Sequence, residues 1–344
     1  MTNTVLIFIG LIGLALFLLS TLLVRVFRGY ALTQELLDIP NNRSSHVLPT
    51  PKGGGLVFVT LWLITVSLSL FSGFFSFSDV AIFLPGTILV AILGFWDDKK
   101  DLSAKRRIVI QFGAAALSVW MLPSFTGVHL FGEQVFNLGW FAFPLLILGI
   151  TWSTNLFNFM DGLDGIASIE ALFVLGVGGI FFWIFGEMSL AFLAWSLVLG
   201  VAGFLVWNWP SASVFMGGVG SYSLGFLIGL FAVVGDVKYQ IPIMLWIILY
   251  GTFWFDATIT LLRRMLYKQA WTKPHRSHAY QRLHQAGFSH KQVIYWVIGL
   301  NSVLAGLALS VAILPQWMEI GFLLAILVLT LAYGVVEKLK PMAR

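Results

Sequence analysis

The stretch Trp140-Phe-Ala-Phe-Pro-Leu-Leu-Ile-Leu-Gly-Ile-Thr-Trp-Ser-Thr-Asn155-Leu-Phe-Asn158-Phe-Met-Asp161-Gly-Leu-Asp164-Gly165 decides how the chain is read. Its first part, 140–156, is an apolar run of bilayer-crossing length, which for a helix is about 17–25 residues. Its end is a row of amides and carboxylates. Asn155, Asn158 and Asp161 recur every three residues, so on a helix they share one face. Asp164 continues the row only if the helix persists, and Gly162 and Gly165 predict that it breaks. A greasy span ending in hard oxygen donors offers ligands to a divalent cation and acceptors to a sugar or ribose, all at one membrane edge. A polar helix end followed by a glycine turn is the plainer alternative.

The remaining sequence extends this pattern. Of 344 residues, 59% are apolar, 15% aromatic and only 10% charged, with a mean hydropathy of +0.92. Soluble domains carry about 25% charged and about 45–50% apolar residues. The composition excludes an ordinary soluble enzyme, a nucleic-acid binder and a disordered chain. An outer-membrane barrel needs alternating strands with a polar lumen, and that is excluded too. The expectation is an all-α, polytopic membrane bundle. Apolar runs fall at about 4–24, 55–75, 80–95, 108–124, 140–156, 166–186, 189–207, 221–235, 241–262, 293–313 and 317–336, giving about eleven spans. The third is short and broken by Pro85, and the eighth is rich in glycine. The first reads as a retained helix, because no basic residue precedes it and no small-residue cleavage site follows before Arg25. With no cysteine there is no disulfide framework, thiolate metal site or cysteine nucleophile.

Charge placement orients the chain. With the N-terminus outside and the C-terminus inside, all but Lys238 of the 20 Lys and Arg fall on the inner side, as the positive-inside rule requires. Asp79, Glu133, Glu187, Asp236 and Glu319 then fall in short outer loops, as solvated residues. Asp97, Asp98, Asp101, Asp161, Asp164 and Asp256 gather at inner span ends and inner loops. Acids clustered at a membrane edge are functional candidates. The inner loops run over about 25–54, 96–107, 157–165, 208–220 and 263–292, within one domain, 1–344.

Those loops carry further constellations. In Gly94-Phe-Trp-Asp-Asp-Lys-Lys-Asp101, adjacent Asp97 and Asp98 cannot share a helix face, whereas Asp97 and Asp101 can. Such carboxylates either bind Mg²⁺ or divide the work of base and metal ligand; a helix cap before a basic run is the alternative. Pro49-Thr-Pro-Lys-Gly-Gly-Gly55, with Lys52 before a helix start, offers backbone N–H groups to an anion. His275-Arg-Ser-His278 places two imidazoles on one helical face, with Arg276 and Arg282 near enough to grip a diphosphate. Phe215-Met-Gly-Gly-Val-Gly-Ser221 is either a phosphate-approaching loop or a close helix contact. Asp256, with Arg263 and Arg264, closes the ninth run.

Together these motifs resemble the polyprenyl-phosphate N-acetylhexosamine-1-phosphate transferase family, which includes the phospho-MurNAc-pentapeptide translocase. They are most similar to the branch that initiates O-antigen. The carriers are Asn42-Arg-Ser-Ser-His46, Pro49–Gly55, Asp97-Asp98, Asn158-x-x-Asp161-Gly-x-Asp164-Gly and His275-Arg-Ser-His278, spread over residues 35–335. The resemblance implies transfer of an N-acetylhexosamine-1-phosphate from a UDP-sugar to undecaprenyl phosphate, giving the lipid diphospho-sugar and UMP. It implies Mg²⁺, with Mn²⁺ also fitting oxygen ligands, and a site on the cytoplasmic face of a bacterial inner membrane. Asp97 and Asp98 would be catalytic, Asn158 and Asp161 metal ligands. Lys52, Asn155, Asp164, His275, Arg276 and His278 would bind substrate. Direct attack and an aspartyl intermediate both stay open, as do the sugar and a homodimer.

One departure stands out. The family pattern Met-Gly-Asp-x-Gly-Ser has a metal-binding Asp, where this chain has Gly218. That replacement makes a catalytically impaired homologue the second reading. A transporter is the third, although its acids belong near the bilayer midplane.

Overall fold

The structure is a computed structural model that describes residues 3–40, 48–72, 76–100, 102–132, 134–269 and 275–343. Helix α1 (Asn3–Thr33) leads into a two-residue hairpin, β1 (Leu37–Asp38) against β2 (Thr50–Pro51). Then follow α2 (Gly55–Ser69), α3 (Phe77–Lys100) and α4 (Ala104–Trp120). A second hairpin pairs β3 (Gly127–His129) with β4 (Val135–Asn137). The rest is helical: α5 (Ala142–Met160), α6 (Ile166–Ile184), α7 (Met188–Asn208), α8 (Gly217–Tyr239), α9 (Ile243–Leu249), α10 (Gly251–Leu266), α11 (Ala279–Gln285), α12 (His290–Ile313) and α13 (Met318–Leu339).

The fold is a polytopic helical membrane bundle. Among the described residues, each expected apolar run is helical over most of its length. Eight helices among the described residues are long and apolar enough to cross a membrane, nine if α9 and α10 count as one span. Two of the expected spans, α2 with 15 residues and α4 with 17, are shorter than that. Two expectations are corrected. Pro85 does not break the third run: α3 passes through it without interruption, as membrane helices tolerate an internal proline. The ninth run is not one helix but bends by 78° between α9 and α10. The inner loops are also shorter than expected. α3 reaches Lys100, and α8 already begins at Gly217.

α8 is the axis of the bundle, buried along nearly its whole length and packed on α3, α5 and α2. Small residues let these backbones touch. A Cβ on Gly94 of α3 would lie 2.4 Å from the Gly218 carbonyl of α8, and one on Gly55 of α2 would lie 2.4 Å from Gly220 Cα. This contact brings the C-terminal end of α3, with its aspartates, against the first turn of α8. The opposite end is closed by the second hairpin, where the His129 N–H donates to Asp236 at 2.7 Å.

Candidate active site

Asp97 and Asp98 stand on the last turn of α3 and face different partners, as adjacent helical positions must. Asp97 accepts from the Tyr222 hydroxyl at 2.6 Å, from Arg107 at 3.3 Å and from the Leu102 N–H at 2.9 Å. Three donors from α8, α4 and the α3–α4 turn fix this carboxylate, leaving little rotamer freedom. Asp98 accepts from the Gly218 N–H at 2.8 Å and pairs with Lys52 Nζ at 2.8 Å. It therefore caps α8, whose N-terminal dipole favours an anion. Burial works against the charge on Lys52, but Asp98 outweighs it and holds the ammonium above the ordinary lysine range.

α5 ends where the glycines predicted. Asp161 is its C-terminal cap, Gly165 takes φ +73°, and α6 starts at Ile166. Asn208 holds this turn, accepting from the Gly165 N–H at 3.1 Å and the Ser168 hydroxyl at 3.1 Å. Asn158 accepts from Ser221 Oγ at 2.9 Å, so the α5 row meets the start of α8 beside Asp98. Burial, then neighbouring Asp98 and Asp164, push the Asp161 carboxyl up to about 7, with Lys52 pulling the other way. Asn155 stands apart. Its amide donates to Gln111 of α4 at 2.5 Å and to the Thr151 carbonyl at 2.9 Å, a helix–helix tie rather than a group aimed at the recess.

Asp164 turns the other way. It accepts from the Ala212 N–H at 3.1 Å and lies 3.0 Å from His290 Nδ1. With Arg28, Ser213, His284 and Lys291 it lines a cavity of about 640 Å³. The histidine motif precedes α11 and is held against α10. His275 and His278 do not share a helical face, because α11 begins only after His278, its N-cap. Their rings nevertheless lie 4.9 Å apart. Asp256 of α10 accepts the Ala279 N–H at 2.8 Å and lies 3.6 Å from His278 Nδ1. Tyr280 donates to the Phe159 carbonyl at 3.1 Å, tying α11 to the end of α5. Burial, then His278 and Arg264, hold the His275 imidazole down at about 4. Arg276 is half-exposed next to it. From behind, Glu337 of α13 binds Arg263 of α10 at 2.7 Å and Arg282 of α11 at 2.5 Å.

The glycine loop is corrected. The N–H groups of Gly53 and Gly54 donate to the Phe215 carbonyl and that of Gly55 to the Met216 carbonyl, so they are spent on the chain and not offered to an anion. Their service is to bring Lys52 to Asp98. Asp101 and the segment Asn42–His46 lie outside the described residues. Tyr222, Asn208 and Glu170 were not singled out by sequence. Glu170 carried a signal, a carboxyl inside an apolar run.

Among the described residues no three His, Asp or Glu side chains converge as a preformed metal site, and Gly218 adds only an N–H. What the recess holds is surplus negative charge. Asp161 has Asp98 and Asp164 as neighbouring acids and Lys52 as the neighbouring cation. Asp98 and Asp161, with the Asn158 amide, fit a divalent cation in charge and in donor type.

Residues 80–236 match the family model described as glycosyl transferase family 4. A Bacillus subtilis (strain 168) protein named a probable undecaprenyl-phosphate N-acetylglucosaminyl 1-phosphate transferase is 33% identical over 95% of this chain and 93% of its own length. The undecaprenyl-phosphate alpha-N-acetylglucosaminyl 1-phosphate transferase of Thermotoga maritima is 30% identical over 76% of this chain and 78% of its own. The phospho-N-acetylmuramoyl-pentapeptide-transferase of Halalkalibacterium halodurans is 29% identical over 76% and 84%. With the membrane bundle and its recess of aspartates, these likenesses establish that the chain belongs to the polyprenyl-phosphate N-acetylhexosamine-1-phosphate transferase family, membrane enzymes that transfer a sugar-1-phosphate.

Proposed function

We propose that this protein transfers N-acetylhexosamine-1-phosphate from a UDP-sugar to undecaprenyl phosphate at the cytoplasmic face of a bacterial inner membrane, the first step of O-antigen or another envelope polysaccharide. The observation that supports this best is the gathering of Asp98, Lys52 and Asn158 at the first turns of α8, with Asp97 bonded to Tyr222 of the same helix, Asp161 close by, and the His275–His278 segment tied through Tyr280 to the end of α5. A lipid phosphate comes from the bilayer and a sugar nucleotide from water, and that recess lies at the inner ends of the spans. An oxygen of the lipid phosphate forms a bond to the sugar-bearing phosphorus, and the bond from that phosphorus to the bridging oxygen breaks as UMP leaves. Little covalent work falls to the protein; positioning and charge neutralisation carry such a reaction.

Asp97, fixed by Tyr222 and Arg107, is suited to orient the lipid phosphate and take its proton. Lys52, Arg276 and His278 are suited to the diphosphate. Asp164 serves the nucleotide from the adjoining cavity. Mg²⁺, held by Asp98, Asp161 and Asn158, would supply neutralising charge for the two phosphates. The second reading, a binding protein without turnover, is favoured by one observation, the glycine at 218.

The test is a membrane assay with radiolabelled UDP-N-acetylglucosamine, undecaprenyl phosphate and Mg²⁺. Label in the organic phase with equimolar UMP supports the transferase. Nucleotide binding without product supports the second reading. Uptake of intact sugar nucleotide into sealed vesicles overturns both.

A further inference from the structure

Outside the aspartate recess, a carboxyl is buried where the chain bends most. Glu170 of α6 is fully buried. It accepts from Asn301 Nδ2 of α12 at 2.6 Å, and Asn301 Oδ1 in turn takes the hydroxyl of Thr252. The other Glu170 oxygen, Oε1, is buried with no hydrogen bond among the described residues, near the Phe253 backbone N–H and beside Tyr250. These contacts surround the break between α9 and α10. The break leaves α10 with a bare start, because its N-cap residue, Tyr250, gives no side-chain cap. The first N–H groups of any helix lack intrahelical partners, and an acidic group there is favoured by the dipole. A polar side chain buried this way is costly unless it meets such a need.

We infer that Glu170 is a positioning residue: it caps α10 through space and so fixes where α10 places Asp256. One turn separates Phe253 from Asp256. Asp256 holds the Ala279 N–H and faces His278, so an error in the start of α10 passes directly to the histidine segment. Asn301 and Thr252 complete the cap, tying the break to α12. The inference rests on the transferase reading for its link to turnover, but its structural claim stands apart from it.

The experiment uses the full chain, which has no cysteine, with a single reporter thiol in α11, Leu283→Cys. Leu283 is 6% exposed. Glu170→Leu, which keeps volume and loses the acceptor, should speed maleimide labelling of that thiol about tenfold. It should cut turnover of UDP-N-acetylglucosamine about ten- to hundredfold, since small misplacements cost that much. Glu170→Gln, which keeps an acceptor oxygen, should restore most of both. In an Asp256→Asn background, Glu170→Leu should cost less than about threefold, because groups acting in series are non-additive. Wild-type labelling in Glu170→Leu overturns the inference, as does a Gln variant no better than Leu, or an equal loss in both backgrounds. If the wild type turns over no UDP-N-acetylglucosamine, the transferase reading fails, and labelling of the Leu and Gln variants alone decides the role of Glu170.

Discussion

At the scale of the residue, the question is how single groups set charge in the recess. Gly218 has ordinary helical backbone, unlike Gly217 at φ +76°, so a side chain is allowed there. Its Cβ would lie 3.0 Å from the Gly94 carbonyl oxygen and 3.4 Å from Asp98 Oδ1. A shift of a few tenths of an ångström between α3 and α8 would seat an aspartate beside Asp98. Gly218→Asp is expected to raise Mg²⁺ affinity about tenfold or more, since a charged ligand is worth several kcal/mol. Calorimetric titration with Mg²⁺ and turnover against Mg²⁺ concentration both read it; no change in either removes position 218 from the metal site. Asp97→Asn keeps an acceptor for Tyr222 and loses the charge. It should cut turnover by about 10²-fold or more with unchanged detergent-extracted yield; retained turnover removes Asp97 from the chemistry. His275 gives a pH signature. Its folded value of about 4 lies below the ordinary 6.5, so the unfolded chain takes up its proton first. Its contribution to stability is complete above pH 6.5 and is lost as the pH falls toward 4. Thermal unfolding of His275→Phe should therefore depend less on pH in that window than wild type does; parallel profiles would place the imidazole in water.

At the scale of the element, the contact of α3 with α8 decides whether the recess exists. A methyl on Gly94 would meet backbone atoms of Gly218 and Val219 at 2.4 Å, which no rotamer can relieve, whereas one on Gly113 meets nothing within 4 Å. Gly94→Ala should lower stability by about 1–3 kcal/mol, the usual cost of overpacking. It should abolish turnover by separating Asp97 from Tyr222, while Gly113→Ala leaves both intact. Thermal melts and the transferase assay on the two variants check this, and an active Gly94→Ala would mean the helices need not touch there. Such contacts mark the limit of what the sequence shows. The helical membrane bundle and the break after Asp161 were legible, because apolar length and glycine pairs leave local marks. The bend at Tyr250 was not, since the groups gathered beside it, Glu170 and Asn301, are distant in sequence. The use of the 53–55 amides was hidden for the same reason: their acceptors are the carbonyls of Phe215 and Met216. Asn155 shows the converse, an amide with the right spacing whose partner, Gln111, sits on another helix.

At the scale of the whole molecule, the proposed reaction demands that the recess face the side where sugar nucleotides are made. Orientation rests on charge alone, since the helices by themselves do not tell one face from the other. Lys52, Arg107 and Arg276 are among the cations that gather at the end holding the aspartates, whereas Lys238 is engaged with Asp79 at the other. Moving the inner cluster across a membrane would cost far more than moving the outer hairpin, which is why positive charge predicts topology. A chain without cysteine makes the test direct. Asn137→Cys, exposed on β4, should react with a membrane-impermeant maleimide in intact spheroplasts. Lys291→Cys, exposed at the start of α12 beside the Asp164 cavity, should react only after permeabilisation. The opposite pattern would put Asp97, Asp161 and His278 on the outer face, where no UDP-sugar reaches them, and a transferase using cytoplasmic UDP-sugars would be untenable however well the residues converge.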